Sequence, residues 1–324
     1  MTFEQAQAII NSSFFSAFLE PAVNRCAYIT EWLSANGIPH RTVTLQQKTH
    51  IVITYRQSAY NSRFKMKTIL AHYDRAEHTP GANDNSAACI QLLLFAQRLM
   101  YTHGVHNIRI IFTDGEEAGT EGIKNQGSYR LGQGLRALSM QNNDIFVFDL
   151  CGAGDTIILS ESGIYGRDKQ KTAALTAFHR RCCIYAERAC RGHWYSLPTA
   201  YSDNAGLISA GLIAQVITVL PRIEAERLLL SVSDTANKQN GAACNDTKKK
   251  ETTVGGDNTL EALQHYIITN SKIPPDSPFA DVIPLTWQRM HTDQDNLKTL
   301  TPEAFIIVDK FLRYLASVKE RFFQ

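Results

Sequence analysis

The sequence predicts a three-layer α/β/α fold, and three observations predict it. Short continuous apolar runs recur at residues 108–112, 145–148 and 213–220, the pattern of central strands covered on both faces. Helical stretches separate them, near 123–138 and 171–190. With 44% hydrophobic and 20% charged residues, the 324-residue chain can build a sizeable core. Alternating strands and helices of this kind stack as helices on both faces of one sheet. The length would allow about two domains at roughly 150 residues each, but α/β folds often run longer as one. We expect a single domain over 1–324.

In chain order, Thr2 with Gln5 reads as a capping box opening a helix to about Leu19. A second helix follows Pro21 and stops at Gly37, a residue suited to a C-terminal cap. Strands are expected at 41–45, 51–55 and 67–71, the first two rich in β-branched residues. Residues 86–100 form a helix candidate that is apolar on most sides, with Ile90, Leu92, Leu93, Leu94, Phe95 and Leu99. Such a helix belongs between other elements. Residues 235–257, dominated by Thr, Asn, Lys, Gly and Asp, show no period. They read as a mobile surface loop within an insertion spanning about 222–283. The last helix opens at Thr301-Pro302, an N-cap followed by proline. Its stripe of Ala304, Val308, Phe311, Leu315 and Val318 is expected to dock on the sheet.

Composition narrows the function. A net charge of +2 predicts no polyanionic partner, and the one basic run, Lys248-Lys249-Lys250, sits in a polar stretch, so no nucleic-acid binding is expected. No segment reaches the roughly 18–20 apolar residues of a membrane span. The N-terminus has neither the basic nor the long apolar region of a signal peptide. Seven cysteines without metal-type spacing read as free thiols, and a cytoplasmic location is the expectation.

Chemistry concentrates in five short segments, each expected to place acidic or imidazole groups where a strand has just ended. They are His72-Tyr73-Asp74, Gly81-Ala82-Asn83-Asp84-Asn85, Asp114-Gly115-Glu116-Glu117, Phe148-Asp149-Leu150 and Met290-His291-Thr292. In open α/β sheets ligands sit outside the carboxyl ends of strands, so these loops can converge. Taken singly, His72 reads as a core histidine, Asp84 as a helix N-cap, Glu116-Glu117 as a solvated turn and Asp149 as half of a salt bridge. Taken together, two histidines and three carboxylates suit Zn²⁺, which takes imidazole nitrogen and carboxylate oxygen at about 2.0–2.2 Å. They suffice for two ions roughly 3.5–4 Å apart if one carboxylate is shared.

The set resembles that of the co-catalytic zinc aminopeptidases related to bacterial leucyl aminopeptidase, whose clan also holds animal-type glutaminyl cyclases. The resemblance covers about residues 66–221 and 284–318. It rests on a His-x-Asp, a Gly-Ala-x-Asp-Asn loop, a Glu-Glu pair, a later Asp and a C-terminal His-Thr-x-x-Asp, all present in order. It implies a mixed central sheet of the zinc-exopeptidase (phosphorylase/hydrolase-like) type and two zinc ions. Asp84 matches the carboxylate bridging both ions. His72 and Asp149 match the other protein ligands of one ion, and Glu117 and His291 those of the second. Glu116 matches the general base and Asp74 the carboxylate that orients His72. The peptide bond after the bridging aspartate is often cis in this family, which carries over to Asp84-Asn85. Two positions depart from the pattern: Ser202-Asp203-Asn204 stands where the family has Ser-Asp-His, and Arg75 where a small residue is common.

The resemblance implies an aminopeptidase acting on peptides with a free N-terminus. Two alternatives stand beside it. A glutaminyl-peptide cyclotransferase would use one zinc, but the tryptophan that commonly precedes its last histidine is Met290 here, with Trp287 three residues earlier. An inactive binding relative would be expected to have lost ligands or base, and none is lost.

Overall fold

The computed structural model describes residues 1–164, 169–243, 267 and 281–321. β-Branched and aromatic residues extend the chain into strands β1 (His40–Leu45), β2 (Lys48–Ile53), β3 (Lys67–His72), β4 (Ile108–Thr113), β5 (Asp144–Phe148), β6 (Thr156–Ser160), β7 (Trp194–Leu197) and β8 (Ala214–Leu220). They form one sheet in the order β1-β2-β4-β3-β5-β8-β6-β7. Strands β4, β3, β5 and β8 run parallel at its centre. β2 joins β4, and β6 joins β8, antiparallel, so the sheet is mixed.

Alternation along the strands sorts side chains to two faces. Ile69, Ala71, Ile110, Phe112, Phe146 and Phe148 face one cluster, shared with α1 (Phe3–Ile10), α2 (Ser13–Leu19), α3 (Arg25–Ala35), α4 (Ala87–Met100), α6 (Lys169–Ala189) and the C-terminal helix Pro302–Ser317. Leu70, Ile111, Ile145 and Val147 face the other, filled by Leu131 and Leu135 of α5 (Gly127–Ala137) and Leu207 of α7 (Asp203–Ser209). Each fully buried Leu, Ile or Phe contributes about 1.5–3 kcal/mol, which makes this double-sided burial the main source of stability. The three layers follow.

Several elements differ from the sequence reading in instructive ways. The N-terminal helix is two helices, because Ser12 Oγ accepts the Phe15 amide and starts a new one. The Thr2–Gln5 capping box forms as read. Strands β6 and β7 and helix α7 are additional elements. Helix α8 (Arg222–Ala243) covers 235–243, the first part of the stretch read as a loop. Ala225 and Leu228 dock its first turns against Leu150 and Leu220, and a helix once nucleated propagates at little cost. Residues 244–257, including the basic run 248–250, lie outside the described residues. The C-terminal stripe is buried at Ala304, Val308, Phe311 and Leu315, while Val318 is the C-cap. Among the described residues the cysteines are unpaired, and no helix is long and apolar enough to cross a membrane.

Candidate metal centre

Three adjacent parallel strands end at one rim of the sheet. His72 closes β3 and pairs in register with Thr113, the last residue of β4. Glu116 and Glu117 follow Thr113 around the turn at Gly115. On the other side of β3, Leu70 pairs with Val147, so two further residues on each strand bring His72 and Asp149 level. Parallel pairing alone therefore gathers an imidazole and three carboxylates.

The fourth segment reaches the rim by a tight turn. Gly81 has φ +62°, and a Cβ there would sit 2.7 Å from the Asp84 carbonyl, so this turn requires glycine. The Asp84–Asn85 bond is cis, as the resemblance implied. Asn85 Nδ2 donates to the Phe148 carbonyl at 2.8 Å, pinning the turn beside Asp149. Asp295 accepts the Asn83 and Asp84 amides at 2.7 and 3.0 Å, which ties the turn to the loop of His291. His291 itself has φ +57°.

The gathered atoms form two groups that share Asp84. His72 Nε2 lies 3.2 Å from Asp84 Oδ1 and 3.5 Å from Asp149 Oδ1. His291 Nε2 lies 3.2 Å from Asp84 Oδ2 and 3.1 Å from Glu117 Oε2. A tetrahedral ion with bonds of about 2.0–2.2 Å holds its ligand atoms roughly 3.3–3.6 Å apart. The observed separations, 3.1–3.5 Å, fall within about 0.2 Å of that edge length. His72 Nε2 and Asp149 Oδ1 are also buried without an aligned hydrogen bond, a costly state that coordination would relieve. A third set of candidate ligands, His72, Glu116 and Glu117, overlaps these two.

The electrostatics agree. Burial alone would depress the His72 imidazole, but Asp149, Asp74 and Asp84 outweigh it and raise its pKa well above the ordinary value. Hydrogen bonds to Asp84 and Glu117 hold His291 up at about 11. Burial acts against Asp84, yet the His291 and His72 rings keep its carboxyl well below the ordinary range. Carboxylates that bind protons so firmly on two rings form a strong field for a divalent cation in their place.

The supporting residues are equally ordered. Asp74 Oδ1 lies 3.5 Å from His72 Nδ1, and its carboxylate accepts the Glu116 and Glu117 amides at 3.2 and 3.1 Å. Glu116 Oε1 accepts from Gln126 Nε2 at 2.8 Å. Gln126 is oriented in turn by Ser128 Oγ and the Gly206 amide, both donating to its Oε1. Burial, with Asp149, Asp203 and Glu117 adding to it and His72 opposing, raises the Glu116 pKa well above the ordinary value. Asp203 is fully buried and accepts from Thr113 Oγ1; burial lifts it to about 6.

The structure thus brings His72, Asp84, Glu117, Asp149 and His291 together, with Asp74 and Glu116 against them. Gln126 escaped the sequence reading, and Asp295 entered it only as the last position of the His-Thr-x-x-Asp motif, with no role assigned. A glutamine ten residues past a Glu-Glu pair carries no signal by itself, whereas an aspartate four residues after His291 could have been read as a loop tie. Neither departure from the family pattern enters the cluster by a charged contact. Arg75 donates to the Leu19 and Glu20 carbonyls and to the Pro80 carbonyl before the Asp84 turn, and Asn204 accepts the Ser202 amide in its own turn.

Comparison with known proteins places the fold and the family. The model of peptidase family M28 matches residues 51–316. A sequence search of curated proteins finds no match. Among solved structures, the Legionella pneumophila aminopeptidase LapA aligns at 12% identity and TM-score 0.60, over 100% of this chain and 71% of LapA. A Zn-dependent exopeptidase from Parabacteroides distasonis aligns at 15% identity and TM-score 0.59, over 98% of each chain. The glutaminyl cyclase of Porphyromonas gingivalis aligns at 15% identity and TM-score 0.58, over 96% of this chain and 98% of its own. The chain spans only 49% of the zinc aminopeptidase from Bacillus subtilis that it also matches. At these identities the structural likeness establishes the fold. The family match extends over most of the sequence, and the chain belongs to peptidase family M28.

Proposed function

We propose that this chain is a zinc-dependent aminopeptidase that removes N-terminal residues from peptides, with two ions held at the sheet rim. One observation carries the reading: two groups of imidazole and carboxylate atoms, spaced 3.1–3.5 Å, share the two oxygens of Asp84. In it His72, Asp84 and Asp149 hold one ion, and Asp84, Glu117 and His291 the other. Bound zinc supplies Lewis acidity, lowering the pKa of water toward about 7 and stabilising oxyanion charge.

The chain's own residues do the rest. Glu116 is the general base: Gln126 fixes its Oε1, leaving Oε2 to take a proton from the attacking water and return it to the leaving amine. Without metal, burial and the neighbouring carboxylates hold its pKa well above the ordinary value, and bound cations would lower it, favouring the ionised form that accepts the proton. Asp74 orients His72 through Nδ1 and braces the Glu116 and Glu117 amides. A free α-amine can complete the coordination of one ion, which would account for cleavage at the N-terminus.

Glutaminyl cyclisation is the second reading, favoured by the fold shared with the Porphyromonas gingivalis enzyme. It is the weaker of the two, because Met290 stands where glutaminyl cyclases commonly have tryptophan, and Trp287 is packed into the core beside Leu150 and Leu228. A panel of amino-acyl and glutaminyl reporter peptides, assayed with zinc and with chelator, tests the proposal. Chelator-sensitive release of N-terminal residues is expected. Cyclisation without hydrolysis, or activity indifferent to chelator, would overturn it.

A further inference from the structure

Arg25 breaks two local rules. It is the first residue of α3, where a positive charge opposes the helix dipole, and it is 7% exposed, where a guanidinium loses most of its hydration. Residues that violate local preference without evident compensation are where a structural demand is to be sought. The compensation here lies in two other loops. Nη1 donates to the Tyr73 carbonyl at 3.0 Å, between His72 and Asp74. Nη2 donates to Ser86 Oγ at 2.8 Å and to the Pro80 carbonyl at 3.3 Å, on either side of the turn that carries Asp84. Ser86 Oγ passes the restraint on, donating to the Gly81 carbonyl at 2.5 Å. The guanidinium carbon sits 4.8 Å over the Phe18 ring of α2. Arg75 reinforces the same contact from the other side, reaching from the His72 loop to the last carbonyls of α2.

We infer that Arg25 is a positioning residue of the metal centre: its planar fork ties the His72–Asp74 loop to the Asp84 loop and so sets the spacing of the ligands. This rests on the reading of the cluster as a zinc site. It assigns a role to α2 and α3, which precede the matched segment 51–316. A fork that reaches three acceptors on two loops is a geometric device, and a lysine in its place offers only a point charge.

The test uses the full chain, stripped of metal and titrated with zinc against a chromophoric chelator, with Co²⁺ absorption as a second readout of ligand geometry. R25M and R25K are each expected to weaken zinc binding by roughly 10–100-fold, the usual effect of removing a residue that orients ligands. Both are expected to alter the Co²⁺ bands. S86A, a small truncation that keeps the arginine, shifts affinity in the same direction by less and serves if R25M does not fold. R98M, which removes an ion pair to Asp309, is the reference for destabilisation alone and leaves affinity unchanged. Wild-type affinity in both R25K and S86A would overturn the role, and so would full rescue by R25K of a loss seen in R25M, because charge would then suffice. Wild-type protein that takes up no metal would instead sink the metal-centre reading itself.

Discussion

Replacing Glu116 by glutamine separates catalysis from stability. The side chains match in size, and Gln126 can still donate to the oxygen at the Oε1 position, so the pocket keeps its shape. What is lost is the capacity to accept a proton. General-base removal costs about 10²–10⁴ in turnover. That corresponds to about 2.7–5.4 kcal/mol at roughly 1.36 kcal/mol per decade. Stability of the metal-free protein moves the other way. Burial and the neighbouring Asp149, Asp203 and Glu117 raise the folded pKa of Glu116 well above its ordinary 4.5. A raised carboxyl contributes stability that is complete below the ordinary value and is lost as pH climbs through the folded value. The glutamine has nothing to lose, so the stripped variant gains on the wild type as pH rises above 4.5. Initial rates on an amino-acyl reporter, elemental zinc analysis and chemical denaturation at pH 5 and pH 8 read all three quantities. Turnover within about tenfold of wild type would refute the base assignment. Retained activity loss with loss of bound zinc would make Glu116 a ligand instead.

Other perturbations probe the supports. H291A is expected to remove one zinc from the elemental count and, by taking the partner of the buried Asp84 carboxylate and of Glu117, to lower the denaturation midpoint of the metal-free protein. D295A strips the acceptor from two backbone amides, Asn83 and Asp84; each buried donor left unpaired costs about 1–3 kcal/mol, read as a lower denaturation midpoint together with weaker zinc binding. G81A forces a side chain into φ +62° against the Asp84 carbonyl at 2.7 Å, so it is expected to lower stability by more than about 1 kcal/mol and to reduce zinc uptake.

Much of this fold was legible because its central strands are buried on both faces. β4, β5 and β8 show continuous apolar runs, and β3 ends in the histidine that opens the cluster. β6 is just as buried, but five residues between glycine and serine turns give too short a run to stand out. β7, at the sheet edge, has only four residues and a half-exposed face. The break at Ser12 is invisible to periodicity, since both helices present apolar residues to the same core, Ala6 and Ile10 from α1 and Phe15 and Phe18 from α2. The cluster residues were legible for a related reason: each follows a strand or opens a turn, so its neighbours in sequence announce its position. Gln126 and Arg25 act through contacts 10 to 61 residues away along the chain, and no local pattern encodes such partners. Arg75 shows the converse. It stood out beside Asp74 as a departure from the family pattern, yet its side chain donates to the end of α2 and to the Pro80 carbonyl, not to the cluster.

The central claim is that two cations share Asp84. Anomalous diffraction at the zinc edge from crystals grown with zinc addresses it directly. The account predicts two peaks, one touching His72, Asp84 and Asp149, the other touching Asp84, Glu117 and His291. A single peak, or peaks away from Asp84, would contradict it.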